Sequence, residues 1–62
     1  MIVKNLKTNR INFVWSDDRE FDMGLACLDE QGWLKYLKSG DDTPWLFDLI
    51  FLKEGEYEII EE

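Results

Sequence analysis

The sequence predicts a small α+β domain: an N-terminal β-hairpin, one helix over about residues 17–31, and a three-stranded antiparallel meander behind it. Three observations carry that expectation. Two runs rich in Ile, Val, Phe and Trp, residues 2–6 and 11–16, flank the polar Lys7-Thr8-Asn9-Arg10. The following stretch, SDDREFDMGLACLDEQG, holds no Val, Ile, Thr or Tyr, while its Met, Leu, Ala, Glu and Gln favour helix. Beyond it, short apolar runs alternate with the turn-forming SGDD and KEGE.

Each element has its own signals. In the hairpin, Asn9 is the natural residue for a positive-φ turn position. In the helix, Ser16 can cap the first turn, Asp17, Asp18 and Glu20 suit the positive end of the dipole, and Gly32 can take the C′ position. Phe21, Gly24, Leu25 and Leu28 then share one face at i, i+3, i+4 and i+7. A strand competes, because Phe21, Met23, Leu25 and Cys27 also alternate and Asp29-Glu30-Gln31-Gly32 would make a bulged turn. Gly24 weakens a helix by about 1 kcal/mol relative to Ala. An all-β fold is therefore the alternative.

WLKYLK, residues 33–38, suits a strand or a helical turn, and Ser39-Gly40-Asp41-Asp42 is a loop. Seven of the eight residues from Trp45 to Leu52 are apolar. Thr43-Pro44 could open a helix there, but such a helix would be apolar nearly all round. A strand fits better, with Asp48 marking the face that meets water or a partner. Lys53-Glu54-Gly55-Glu56 turns the chain into a last strand, residues 57–60.

With 62 residues there is one domain, and a chain of this size buries only about 60% of its unfolded surface. The single Cys27 excludes an internal disulfide, and with no histidine a structural zinc has no ligand set. Stability must come from nine aromatic residues, from a partner or from self-association. MIVKNLKTNR lacks the apolar segment of a signal peptide, no run nears the ~20 residues of a membrane span, and an unpaired cysteine suits a reducing compartment. These features lead us to expect a soluble cytoplasmic protein with no membrane contact.

Charge is unevenly spread. Residues 1–16 carry Lys4, Lys7 and Arg10 and no acid, whereas residues 17–62 carry four bases against fourteen acids. That imbalance repels nucleic acid and anionic membranes and attracts basic surfaces. Direct DNA or RNA binding is not expected; a protein partner with a basic surface is.

No motif for chemistry emerges. Asp17-Asp18-Arg19-Glu20-Phe21-Asp22 lacks the spacing and glycine of a calcium loop, so it reads first as a solvated helix cap. Without histidine, general acid–base catalysis has few candidates; Cys27 reads as a packed core thiol. The expectation is a non-enzyme with no cofactor and no metal.

The carboxylates do form rows. On a helix over 17–31, Asp18, Asp22 and Asp29 line up beside the apolar face. On the last strand Glu56 and Glu58 share a face about 6.8 Å apart, with Glu54 extending the row. Glu30 adds charge, as do Asp41-Asp42 and Glu61-Glu62 at ends and loops. Such rows can imitate a phosphate backbone, although acidic surfaces more commonly serve solubility alone. Trp33 and Trp45, both at element edges, are the aromatics to expect at an interface.

In size and charge the chain resembles the small acidic inhibitors that phages and other mobile elements encode, anti-CRISPR proteins and other DNA mimics among them. No individual residue carries that resemblance. It implies a protein-binding module that blocks the nucleic-acid-binding surface of its target. From the charge rows and the aromatics, Asp17, Asp18, Asp22, Asp29, Glu30, Asp41, Asp42, Glu54, Glu56 and Glu58 are the residues expected to steer and seat it, and Trp33 and Trp45 those expected to supply short-range contact. The alternative is a structural or assembly subunit that docks or oligomerises through a tryptophan-bearing apolar face.

Overall fold

The computed structural model describes residues 1–15, 24–40, 42, 44 and 47–62. They form β1 (Ile2–Asn5), β2 (Arg10–Val14), β3 (Leu25–Asp29), α1 (Glu30–Ser39), β4 (Ile50–Leu52) and β5 (Tyr57–Glu61). The strands make one antiparallel sheet in the order β4-β3-β2-β1-β5. The domain is α+β, as the sequence predicts.

The hairpin forms where its sequence signals lie. Asn9 takes φ 60°, and its N–H donates to the Asn5 carbonyl at 2.7 Å. The Asn5 side-chain oxygen accepts from the Lys7 and Thr8 amides at 2.9 and 3.3 Å, an Asx turn that satisfies a buried amide. β1 and β2 then pair in unbroken register from Ile2↔Phe13 to Asn5↔Arg10.

Strand alternation divides the sheet into two faces. One carries Val3, Val14, Leu25, Cys27 and Leu52, the buried core, with Met1 and Tyr57 packed against it. The other carries the row Ile2–Phe13–Leu28, set by direct pairing across β1, β2 and β3. Trp33 of α1 stacks on Phe13 at 5.7 Å with the rings 10° apart, and Tyr36 leans on Trp33 at 5.5 Å. The helix thus lies over β2 and β3 on that second face and buries none of its residues fully.

The helix is displaced from the expected 17–31. Residues 25–29 are β3, and residues 16–23 lie outside the described set. β3 has β2 on one side and β4 on the other, and Leu25, Ala26, Cys27 and Leu28 are all buried. A strand covered on both faces reads as a continuous apolar run, and pairing with two neighbours outweighs modest helix propensity. Asp29 is the N-cap of α1 rather than part of a turn: its carboxylate accepts from the Gly32 N–H at 2.6 Å. Gly32 therefore sits in the first turn, and Gly40 with φ 65° closes the helix. WLKYLK is helical.

The meander is not formed. Among the described residues, β4 pairs only with β3 and β5 only with β1, at opposite edges of the sheet. Of the strand expected over 45–52, Ile50–Leu52 form β4, residues 47–49 are not in a strand, and residues 45 and 46 lie outside the described set. Ahead of it Pro44 is buried, and its carbonyl accepts from the Phe47 N–H at 3.0 Å. Asp48 is exposed outside any strand.

Cys27 is fully buried in the core, and its thiol donates to the Leu25 carbonyl at 3.5 Å. Burial pushes its pKa up to about 11. The thiolate, the reactive form, is then scarce near neutral pH. A chromogenic disulfide reagent should leave the native protein unlabelled and react fully in urea. Rapid native labelling would reveal an opening of β3.

Candidate protein-binding surface

The last ten residues hold one base, Lys53, against Glu54, Glu56, Glu58, Glu61 and Glu62. The turn Lys53–Glu56, closed by the Glu56 N–H donating to the Lys53 carbonyl at 2.9 Å, delivers them to the sheet edge. β5 pairs with β1 through Asn5↔Tyr57, Lys4↔Glu58 and Val3↔Ile59, and slips by one residue before Ile2↔Glu61. Every β5 residue after Tyr57 is exposed, including Ile59 and Ile60 at 39% and 53%.

The acids on this edge are not equivalent. Glu56 folds inward: Oε1 accepts from the Lys53 amide at 2.8 Å, and Oε2 lies 3.4 Å from the Lys7 ammonium. Chiefly the amide hydrogen bond, and then the Lys7 contact and the Lys53 charge, hold its carboxyl below the usual range. A depressed pKa in the folded state adds stability above the ordinary carboxylate pKa, and that stability is lost as pH falls through the lowered value. Glu56→Gln should therefore lower stability near neutral pH, with the gap closing at a strongly acid pH, below the depressed carboxyl value. Urea titrations followed by tryptophan fluorescence at both values would measure it. A gap undiminished in acid would assign the loss to packing instead of charge.

The positive hairpin lies beside this acidic edge, so the separation of charge along the sequence is partly undone in space. Lys7 pairs with Glu56, and Lys4 sits directly opposite Glu58. Glu54 is exposed in the turn and Glu58 is exposed on β5.

The other expected site residues scatter. Asp29 is engaged as a cap, Glu30 is exposed in the first turn of α1, and Asp42 is exposed. Asp17, Asp18, Asp22, Asp41 and Trp45 lie outside the described residues. The row Asp18-Asp22-Asp29 required one helix through all three and does not form, because Asp29 ends a strand. Trp33 is half-buried in its stack with Phe13. Beside it, Leu34 and Leu37 are 48% and 57% exposed.

Sequence reasoning missed Ile59 and Ile60 as surface residues. YEII is an ordinary strand sequence, and only its place at the sheet edge exposes it.

Among the described residues, no group of three acidic or cysteine side chains is placed to hold a metal ion, and no helix is long and apolar enough to cross a membrane. An open cleft of about 300 Å³ lies between the start of α1 and residues 47–50, lined in part by Asp29, Gln31, Lys35 and Asp48. No family model matches this chain, and neither a curated protein nor a solved structure matches it.

Proposed function

We propose that this chain is a non-enzymatic, cytoplasmic protein-binding module, an inhibitor of the kind that phages and mobile elements encode, which blocks a basic nucleic-acid-binding surface on its target. One observation carries the reading: the exposed edge strand β5 sets Glu58 and Glu61 around the solvent-exposed Ile59 and Ile60, with Glu54 and Glu62 at either end. Carboxylates on such an edge steer a basic partner, and the isoleucines supply short-range contact. The acids expected from the sequence at Asp17, Asp18, Asp22, Asp41 and Asp42 extend the negative lobe in this reading.

The test is affinity capture from nuclease-treated host lysate, followed by titration of the retained protein with purified chain. Affinity should fall at least roughly tenfold between low and moderate salt, and duplex nucleic acid should compete. The pair Glu58→Lys and Glu61→Lys should slow association while leaving the melting temperature nearly unchanged. Affinity indifferent to salt and to nucleic acid would remove the inhibitor reading.

Leu34 and Leu37 favour a second reading, an assembly subunit that completes its core through α1. It requires a solution mass above 7.4 kDa and loss of assembly on Leu37→Asp. A monomer with a concentration-independent thermal transition excludes self-assembly.

A further inference from the structure

We infer that the open edge of β5 is the line along which an extended, basic segment of the partner adds as a sixth strand. The inference rests on the proposed function and gives its contact a geometry. The Leu6 N–H donates to the Glu56 carbonyl at 2.9 Å, so Leu6 and Glu56 form a hydrogen-bonded pair. In an antiparallel ladder such pairs alternate, which makes Lys4↔Glu58 the next one and turns the backbone groups of Tyr57 and Ile59 away from β1. These groups face the side of β5 on which no strand lies among the described residues. An edge of this kind is a template for strand addition.

Charge decides the occupant. A second copy paired antiparallel about Ile59 would set Glu62 against Glu56 and crowd the Glu58 and Glu61 carboxylates of both chains, and like charges on facing strands are destabilising. The slip in register sets Glu58 and Glu61 on one face, opposite Lys4 and Ile2, and Ile59 on the other. A strand with alternating Lys or Arg meets the two glutamates with the opposite sign on the first face, while its apolar residues meet Ile59 on the second. At the other edge β4 has only three residues, Ile50–Leu52, and offers a shorter template without glutamates.

The probe is a seven-residue synthetic peptide of alternating lysine and valine, compared with the same peptide N-methylated at alternate positions and with a glutamate–valine peptide. N-methylation keeps the charge and removes the donors needed to pair with β5. Fluorescence anisotropy should show the N-methylated peptide binding at least tenfold more weakly and the acidic one not at all. Amide exchange at Tyr57 and Ile59 should slow at least tenfold with the lysine–valine peptide. Ile59→Pro, which removes an outward-facing donor on an edge strand and keeps the charge, should abolish binding with the fold intact by tryptophan fluorescence.

Equal affinity for the methylated peptide, or unprotected amides, would overturn strand addition and leave the charge reading to its own salt test. Absence of binding by either basic peptide overturns it as well. Peptide addition at β5 combined with a captured partner whose affinity ignores salt would sustain the edge and sink the inhibitor.

Discussion

Gly24→Ala should cost about 3 kcal/mol or more and lower the melting temperature by roughly 15–20 °C. Gly24 precedes β3 with φ +106°, a conformation that L side chains rarely adopt. The space is closed as well: a Cβ there would collide with the backbone carbonyl of Leu52 on β4. That obstacle cannot rotate aside, so β4 must shift, and Leu52 is a buried core residue. A domain of this length has a stability of only roughly 3–9 kcal/mol, so the loss is a large share of it. Gly55→Ala is the control, because φ is +92° there too but nothing lies within 4 Å of the added carbon. Thermal unfolding followed by circular dichroism would compare the two. Equal losses would mean that β4 yields to the methyl group at little cost.

Asn12→Leu should act in the opposite direction, stabilising by about 2 kcal/mol and raising the melting temperature by roughly 10 °C. Asn12 is 1% exposed on the core face of β2, with Val3 and Asp29 as its cross-strand neighbours. Its amide nitrogen and oxygen have no hydrogen-bond partner among the described residues. Each buried unsatisfied group costs about 1–3 kcal/mol, and leucine replaces both with methyl groups on the same branched frame. Asn12→Asp should instead destabilise as the new carboxyl ionises without a partner. Urea midpoints for the three proteins at neutral pH give the comparison. A leucine variant less stable than wild type would show that the amide's site cannot take the extra volume, or that a bound water satisfies it.

The hairpin and the last strand were legible because their signals are local. Asn9 supplies a positive φ, and β-branched and aromatic residues fill β1, β2 and β5. The Asp29–Gly40 segment carried local signals too, a cap and a terminating glycine, but they were assigned to a loop and to another helix's end. Once LACL is taken as helix, Gly32 looks like a stop; once LACL is a strand, Asp29 opens α1 and Gly40 closes it.

The candidate site was only partly legible. Glu54, Glu56 and Glu58 were visible as a row, yet only contact with Lys53 and Lys7 makes Glu56 a turn residue while Glu58 remains exposed. Trp33 drew attention as a surface aromatic, and its ring is half-buried on Phe13, twenty residues earlier in the chain. The exposed pair Leu34 and Leu37 follows from a helix that leans on the sheet through Trp33 and Tyr36.

By itself the sequence determined the acidic excess, the single unpaired thiol, the hairpin and the α+β class, since composition, turn chemistry and residue propensity act over a few neighbouring residues. The tertiary structure decided the rest. LACL is a strand because β2 and β4 cover its two edges and its side chains are buried on both faces. β5 is an edge because it crosses the whole sheet to pair with β1, the first strand of the chain. Neither fact is written in the segment it concerns: backbone donors and acceptors in a sheet are satisfied by residues remote in sequence, and the order of those partners sets which strand is buried and which stays open.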